Sequence, residues 1–263
     1  MKKNGPKILL LDIETSPLLS YTWGIWQQDV PLNMIEKDWG VLSWSAKWLN
    51  DKKIMYKDQR NKKNVEDDAD LLKDIWKLLD EADVIVTQNG KKFDIKKLNA
   101  RFIINGMIPP SPFQHIDTKQ IASKHFAFTS NKLEYMCEKL GLQQQKSKHK
   151  KFAGFELWRQ CILGNKEAWK EMEHYNKQDV LALEELYLKL RAWDNGGVNF
   201  HIFVDDNNPV CPSCGGKSFK KNGTKGTKTG LYQVFKCKSC FHQARGRKNL
   251  RDKNNLSNTL ISV

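Results

Sequence analysis

Apolar positions in this chain fall into short unbroken runs and longer periodic stretches. Lys7–Asp12 holds four consecutive apolar residues closed by a carboxylate, and Val84–Thr87 is a second such run. Both have the pattern of strands buried on two faces. Val41–Leu49 and Lys53–Asp58 are rich in aromatic and β-branched residues, and the polar turn between them predicts a hairpin. Glu66–Asp80 places Leu71, Leu72, Ile75, Trp76, Leu78 and Leu79 at helical spacing. Asp94–Asn105 reads as a helix stopped at Gly106-Met-Ile-Pro-Pro, and His115–Asp117 as a strand. Asn131–Leu140 is a helix with Gly141 at its end. Ala168–Trp193 has no Gly or Pro, so a long helix is expected until Asp194-Asn-Gly-Gly breaks it. Strands alternating with helices, plus one early hairpin, predict an α/β domain on a mixed sheet.

Charge divides the chain. Its 263 residues carry a net +14. Residues 205–263 hold nine Lys and three Arg against three Asp and no Glu, a net +9. Such an imbalance points to a polyanion, nucleic acid above all, and to two unlike parts. The expected division is a domain over 1–204, a small module over 205–245 and a disordered basic tail over 246–263. Gln143–Lys151 is polar and basic: a solvated loop, or a loop that grips a nucleic-acid strand. The first apolar run is too short for a secretory leader or a membrane span, which implies a cytoplasmic protein without a membrane partner.

Candidate chemistry begins with Asp12 and Glu14, two apart at a strand end and so on one face. Paired carboxylates repel each other and lose solvation unless a hard cation compensates. Asp94 falls in the turn between a strand and a helix, where a carboxylate is often only a cap. Asp179 lies on the long helix with Tyr175 four residues before it; that separation, about 400°, puts them on a shared face. His174 lies about 140° away from Asp179 on an unbroken helix.

Taken in order, Leu11-Asp12-Ile13-Glu14-Thr15, Asn89-Gly-Lys-Lys-Phe93-Asp94 and Tyr175-Asn-Lys-Gln-Asp179-Val180 resemble the motifs of the RNase H-like DEDD 3′–5′ exonucleases. The Tyr at minus four is similar to the Tyr branch, although His174 fills the offset of the His branch. Asp117-Thr-Lys119, Asn131-Lys-Leu133 and Lys139-Leu-Gly-Leu142 also resemble the connecting region of family B polymerase exonuclease domains. The likeness covers roughly residues 7–190. It implies an RNase H-like mixed sheet flanked by helices and phosphodiester hydrolysis with two Mg²⁺ or Mn²⁺ ions. It further implies that Asp12 bridges both ions and that Glu14 and Asp179 complete one site. Asp94 would hold the second ion, and Tyr175 would orient the nucleophile. Asn89, Lys91 and Lys92 are candidate nucleic-acid contacts. Phe93 is expected to anchor in the core rather than serve as a stacking platform, and the aromatic segment Tyr21–Trp26 to pack against the sheet, with stacking on the bases of single-stranded ends as the alternative. Cys137 and Cys161 are expected in the core.

The basic module carries Cys211-Pro-Ser-Cys214 and Cys237-Lys-Ser-Cys240. Two such pairs predict one tetrahedral structural Zn²⁺, and the segment resembles a zinc ribbon. Lys220, Lys221, Lys225, Arg245 and Arg247 among its aromatics are further candidate nucleic-acid contacts. The chain therefore reads as a metal-dependent 3′–5′ exonuclease acting on DNA, single-stranded or at 3′ ends. RNA is the alternative substrate, a polymerase or other replication protein a candidate partner, and a catalytically idle binding protein the competing class.

Overall fold

The computed structural model describes residues 5–64, 66–144 and 151–261; most of the basic segment 143–151 lies outside them. The chain divides into two compact units, Lys7–Tyr187 and Met1–Pro6 with Leu188–Val263.

The first unit begins with β1 (Ile8–Thr15), then β2 (Leu19–Ser20), β3 (Ile35–Lys37), β4 (Val41–Trp48) and β5 (Ile54–Asp58). After α1 (Ala69–Glu81) come β6 (Val84–Thr87), α2 (Asp94–Ile104), β7 (Gln114–Asp117) and α3 (Thr118–His125). Helices α4 (Leu133–Lys139), α5 (Glu156–Ile162) and α6 (Lys166–Leu190) follow. The main sheet has the order β5-β4-β1-β6-β7. It is mixed, as expected: β4 runs antiparallel to β1, whereas β6 runs parallel to both β1 and β7.

One core lies where Leu9, Leu11 and Ile13 of β1 meet Leu71, Leu72 and Ile75 of α1 and Leu98 and Phe102 of α2. A second, around Leu157, Cys161, Trp169 and Met172, belongs to α5 and α6. Cys137 and Cys161 are both buried, as the sequence predicts. Asp68 and Arg101 are buried together in a two-pronged ion pair, and Asp68 also accepts from the Val41 N–H. Full pairing of both groups is what makes a charge tolerable at that depth.

The segment Tyr21–Trp26 does not pack against the sheet. Trp23 is 95% and Trp26 80% exposed. The chain leaves β1 here and returns only through the short β2–β3 pairing, which is separate from the five-stranded sheet. Helices α3 and α5 are short, with Ile121 and Ala122 buried on the one and Leu157 and Cys161 on the other. Helix α3 starts because Asp117 caps it, accepting from the N–H groups of Lys119 and Gln120.

The second unit is an antiparallel meander of β8 (Phe219–Thr227), β9 (Gly230–Cys237) and β10 (Gln243–Asn249), with α7 (Lys253–Ser257) after it. Strand β8 reads Phe-Lys-Lys-Asn-Gly-Thr-Lys-Gly-Thr, with no apolar alternation to reveal it. A bulge between Lys221 and Thr224 shifts its register, and Gly223 takes the positive φ there. The buried cluster of this unit is Cys211, Cys237 and Cys240, with Cys214 and Phe219 beside it. Strand β10 and α7 give regular structure to part of the stretch that composition reads as a tail.

Candidate functional site

Strand parity positions the acidic site. Leu9, Leu11 and Ile13 point into the core under α1 and α2. Asp12 and Glu14, at the alternate positions, therefore stand on the other face. Helix α6 crosses that face and supplies Tyr175, Asn176 and Asp179. One carboxylate oxygen from each of Asp12, Glu14 and Asp179 lies within 4.8 Å of the others. Asp94 enters from the first residue of α2. Its Oδ1 accepts the Ile13 N–H at 3.1 Å, beyond the Ile8–Leu10 stretch where β1 pairs with β6. All four carboxylates and Tyr175 line one cleft of about 320 Å³.

The surrounding groups hold these side chains in place. Asn176 is fully buried, donates to Asp12 Oδ2 at 2.5 Å and accepts from the Ser43 hydroxyl. The Trp158 indole donates to Glu14 Oε2 at 3.0 Å, and its ring meets Tyr175 edge-on at 5.9 Å. Burial, followed by the charges of Asp179, Glu14 and Asp12, raises the Tyr175 pKa far above its usual range, so the phenol keeps its proton. His174, by contrast, is exposed on the outer side of α6.

Asp117 shapes the turn before Asp94. It accepts from the N–H groups of Asn89 and Lys91. Asn89 sits at φ +69°, a conformation Asn tolerates better than most residues. Gly90 is needed beside it, because a Cβ there would lie 2.3 Å from Thr87 Oγ1. Burial, with a smaller contribution from Asp117, pushes the Asp94 pKa up to about 7. A raised carboxyl pKa means that the folded state binds a proton that the unfolded state has already released. Its stabilising contribution is complete below the ordinary carboxylate range and is lost as pH rises through about 7. In divalent-free buffer the melting temperature is expected to fall between pH 5 and pH 8, and Asp94→Asn to flatten that fall. Thermal scans of both proteins across this range check it.

Three carboxylates this close are costly together unless a cation lies among them, and an all-oxygen set suits Mg²⁺ or Mn²⁺. The four cysteines fit a different ion. Sγ atoms of Cys211 and Cys240 are 3.6 Å apart, and those of Cys214 and Cys237 are 3.8 Å apart. Tetrahedral Zn²⁺ with bonds of about 2.3 Å needs S···S edges of about 3.8 Å. The N–H groups of Gly216 and Ser239 point at Cys214 Sγ and Cys237 Sγ, each at 3.4 Å, where they would help carry charge on metal-bound sulfurs.

The candidate nucleic-acid contacts separate. Asn89 lines the acidic cleft, while Lys91 and Lys92 are exposed and absent from its lining. The cations that line it are Lys119 and Lys132. Phe93 is 37% exposed and also lines the cleft, so it is no core anchor. Its position just before α2, at the mouth between β6 and the helix, keeps it out of the core. Lys220, Lys221 and Lys225 lie on β8 and Arg245 and Arg247 on β10, all exposed. Trp158, Asn176, Asp117, Lys119 and Lys132 are the participants that residue-type reasoning missed. Asp117, Lys119 and Lys132 fall in the connecting segments already singled out, and Asn176 adjoins Tyr175. Nothing local marks Trp158, which reaches Glu14 from 144 positions away.

Sequence comparison matches residues 37–191 to the RNase_H_2 family of the RNase H superfamily. The match includes Asp94, Tyr175 and Asp179 but begins after β1 and its two carboxylates. No curated protein matches the chain. Among solved structures, the family B DNA polymerase of the hyperthermophilic archaeon Pyrobaculum calidifontis aligns at 15% identity with a TM-score of 0.49. The alignment covers 71% of this chain and 25% of the polymerase, so the chain spans about a quarter of that protein's length. Among the described residues, no helix is long and apolar enough to cross a membrane.

Proposed function

The chain belongs to the RNase H superfamily, and from that membership we propose that it is a metal-dependent nuclease that trims DNA from 3′ ends. In this reading it is a DEDD exonuclease of the Tyr branch, working in DNA replication, repair or recombination, with a zinc ribbon as its second unit. The carrying observation is the meeting of Asp12, Glu14 and Asp179 oxygens within 4.8 Å, in the cleft shared by Asp94 and the buried Tyr175.

Asp12, Glu14, Asp94 and Asp179 would hold two Mg²⁺ or Mn²⁺ ions, and Cys211, Cys214, Cys237 and Cys240 one Zn²⁺. When bound, the divalent ions activate water and offset charge on the entering and leaving oxygens. The residues of the chain do the rest. Tyr175, held protonated, donates a hydrogen bond near Asp179 and orients an attacking water. Asn176 fixes the Asp12 carboxylate, and Trp158 fixes Glu14. Lys119 and Lys132 draw phosphate towards the acidic floor.

Trp158→Phe retains the ring beside Tyr175 and removes the N–H to Glu14. A hydrogen bond to a charged group is worth about 1.5–3 kcal/mol, so a fall in kcat of about ten- to a hundredfold is expected. The Mg²⁺ concentration for half-maximal rate should rise as well. Steady-state rates across a Mg²⁺ titration check both. The function itself is tested with 3′-labelled single-stranded DNA and RNA of one sequence in Mg²⁺. The DNA label should be released as a mononucleotide faster than the RNA label. Equal or faster release from RNA would refute the DNA assignment.

A further inference from the structure

Strands β8 to β10 and the turns between them carry nine Lys and Arg and no Asp or Glu. Cross-strand register sorts the cations of the strands. Directly opposed residues share a face of the sheet. Lys220 of β8 stands opposite Lys236 of β9, and Lys236 opposite Gln243 of β10. Lys225 stands opposite Tyr232, and Arg245 opposite Val234. Tyr232, Val234 and Lys236 alternate along β9 and so point the same way. One face therefore collects Lys220, Lys225, Lys236 and Arg245 around Tyr232. The Arg245 guanidinium lies 4.3 Å from the centre of the Tyr232 ring, which independently agrees with that parity. Along β10, Gln243, Arg245 and Arg247 are exposed while Ala244 and Gly246 are half-covered.

The other face has a different composition. Phe219 stands opposite Cys237, and Lys221 opposite Phe235. The rings of Phe219 and Phe235 meet edge-on at 6.4 Å beside the thiol cluster. This face serves the cysteine centre and contains few cations.

Like charges placed directly opposite each other weaken a sheet. Among the described residues, none of the nine cations forms an ion pair with a carboxylate; the ion pair of this unit, Lys217–Asp206, lies outside the strands. A small unit with a minimal core gains nothing from Lys220 facing Lys236 by itself. A row of phosphates would remove that cost, and Tyr232 adds an aromatic surface for a base. We propose that the face bearing Lys220, Lys225, Lys236, Arg245 and Tyr232 binds the backbone of nucleic acid, separately from the acidic cleft. The proposal rests on the nuclease reading only for the choice of polyanion.

The test uses the full chain and a long fluorescent single-stranded DNA in calcium buffer, with anisotropy read at several salt concentrations. Each cation–phosphate interaction removed should lower the slope of log Kd against log salt by about 0.7–0.9. Lys220→Gln/Lys236→Gln/Arg245→Gln should therefore lower it by about 2–3 and weaken binding at least about tenfold at moderate salt. Lys221→Gln, on the opposite face, should change Kd by less than about twofold. Bound zinc and the melting temperature report whether each variant is folded. If the triple variant loses zinc, single Lys220→Gln and Arg245→Gln decide the matter, each lowering the slope by about 0.7–0.9. An unchanged slope in the folded variants, or an equal fall on Lys221→Gln, would overturn the proposal. A protein that binds DNA in this way but leaves 3′ ends intact in Mg²⁺ would refute the nuclease reading and leave the binding face standing.

Discussion

Asp12→Asn is expected to lower the rate of 3′-end hydrolysis by about a thousandfold or more, roughly 4 kcal/mol of transition-state stabilisation. The substitution keeps the shape of the side chain and removes its charge. Asp12 offers an oxygen within 4.8 Å of one from Glu14 and one from Asp179, and Asn176 donates to its carboxylate. Without its charge, the remaining carboxylates would hold the proposed cations less tightly. The same change relieves repulsion among three close negative charges. The variant should therefore melt at a higher temperature than the wild type in divalent-free buffer. It should also lose most of the stabilisation that added Mg²⁺ gives the wild type, since a ligand stabilises only in proportion to its affinity for the folded state. Single-turnover rates and melting curves with and without Mg²⁺ read both effects. A rate within tenfold of wild type, or an unchanged Mg²⁺ shift, would contradict the roles given to this carboxylate.

Cys237→Ser is expected to abolish zinc binding and to unfold the second unit. Cys237 is fully buried, and the buried cluster of that unit is composed of thiols with Phe219 beside them. Few apolar side chains replace them as a core. Structural zinc in small domains supplies about 10 kcal/mol or more of folding free energy, more than so small a unit can otherwise provide. The bound zinc should fall from one per chain to none, and amides of β8 to β10 should lose their protection from hydrogen exchange. The first unit has its own two cores, so hydrolysis of short oligonucleotides should persist. Protected amides in a zinc-free variant would contradict this expectation.

Much of the acidic site is legible in the sequence because its geometry is local. Asp12 and Glu14 share a face through strand parity, and Tyr175 and Asp179 through the helical repeat. Exposure of His174 and burial of Tyr175 follow from the same repeat. Strands β1 and β6 are evident because strands buried on both faces leave unbroken apolar runs. What escaped depends on tertiary pairing. Trp158 meets Glu14, and Asn176 meets Asp12 and Ser43, only once α5 and α6 cross the sheet. Phe93 reads as core by residue type yet lies at the mouth of the cleft. Strand β8 is polar throughout, and its pairing with β9 is what makes it a strand. The exposed Trp23 and Trp26 show the converse, since hydrophobicity alone does not bury a segment that leaves the sheet through a two-residue strand.

The proposed activity is the removal of nucleotides from 3′ ends at the acidic cleft. It is tested most directly with 5′-labelled single-stranded DNA incubated with the full chain and Mg²⁺, the products being resolved by length. The predicted result is a ladder that shortens one nucleotide at a time from the 3′ end and stops when Mg²⁺ is chelated. Intact DNA, internal cuts, or release of the 5′ label as a mononucleotide at the outset would contradict it.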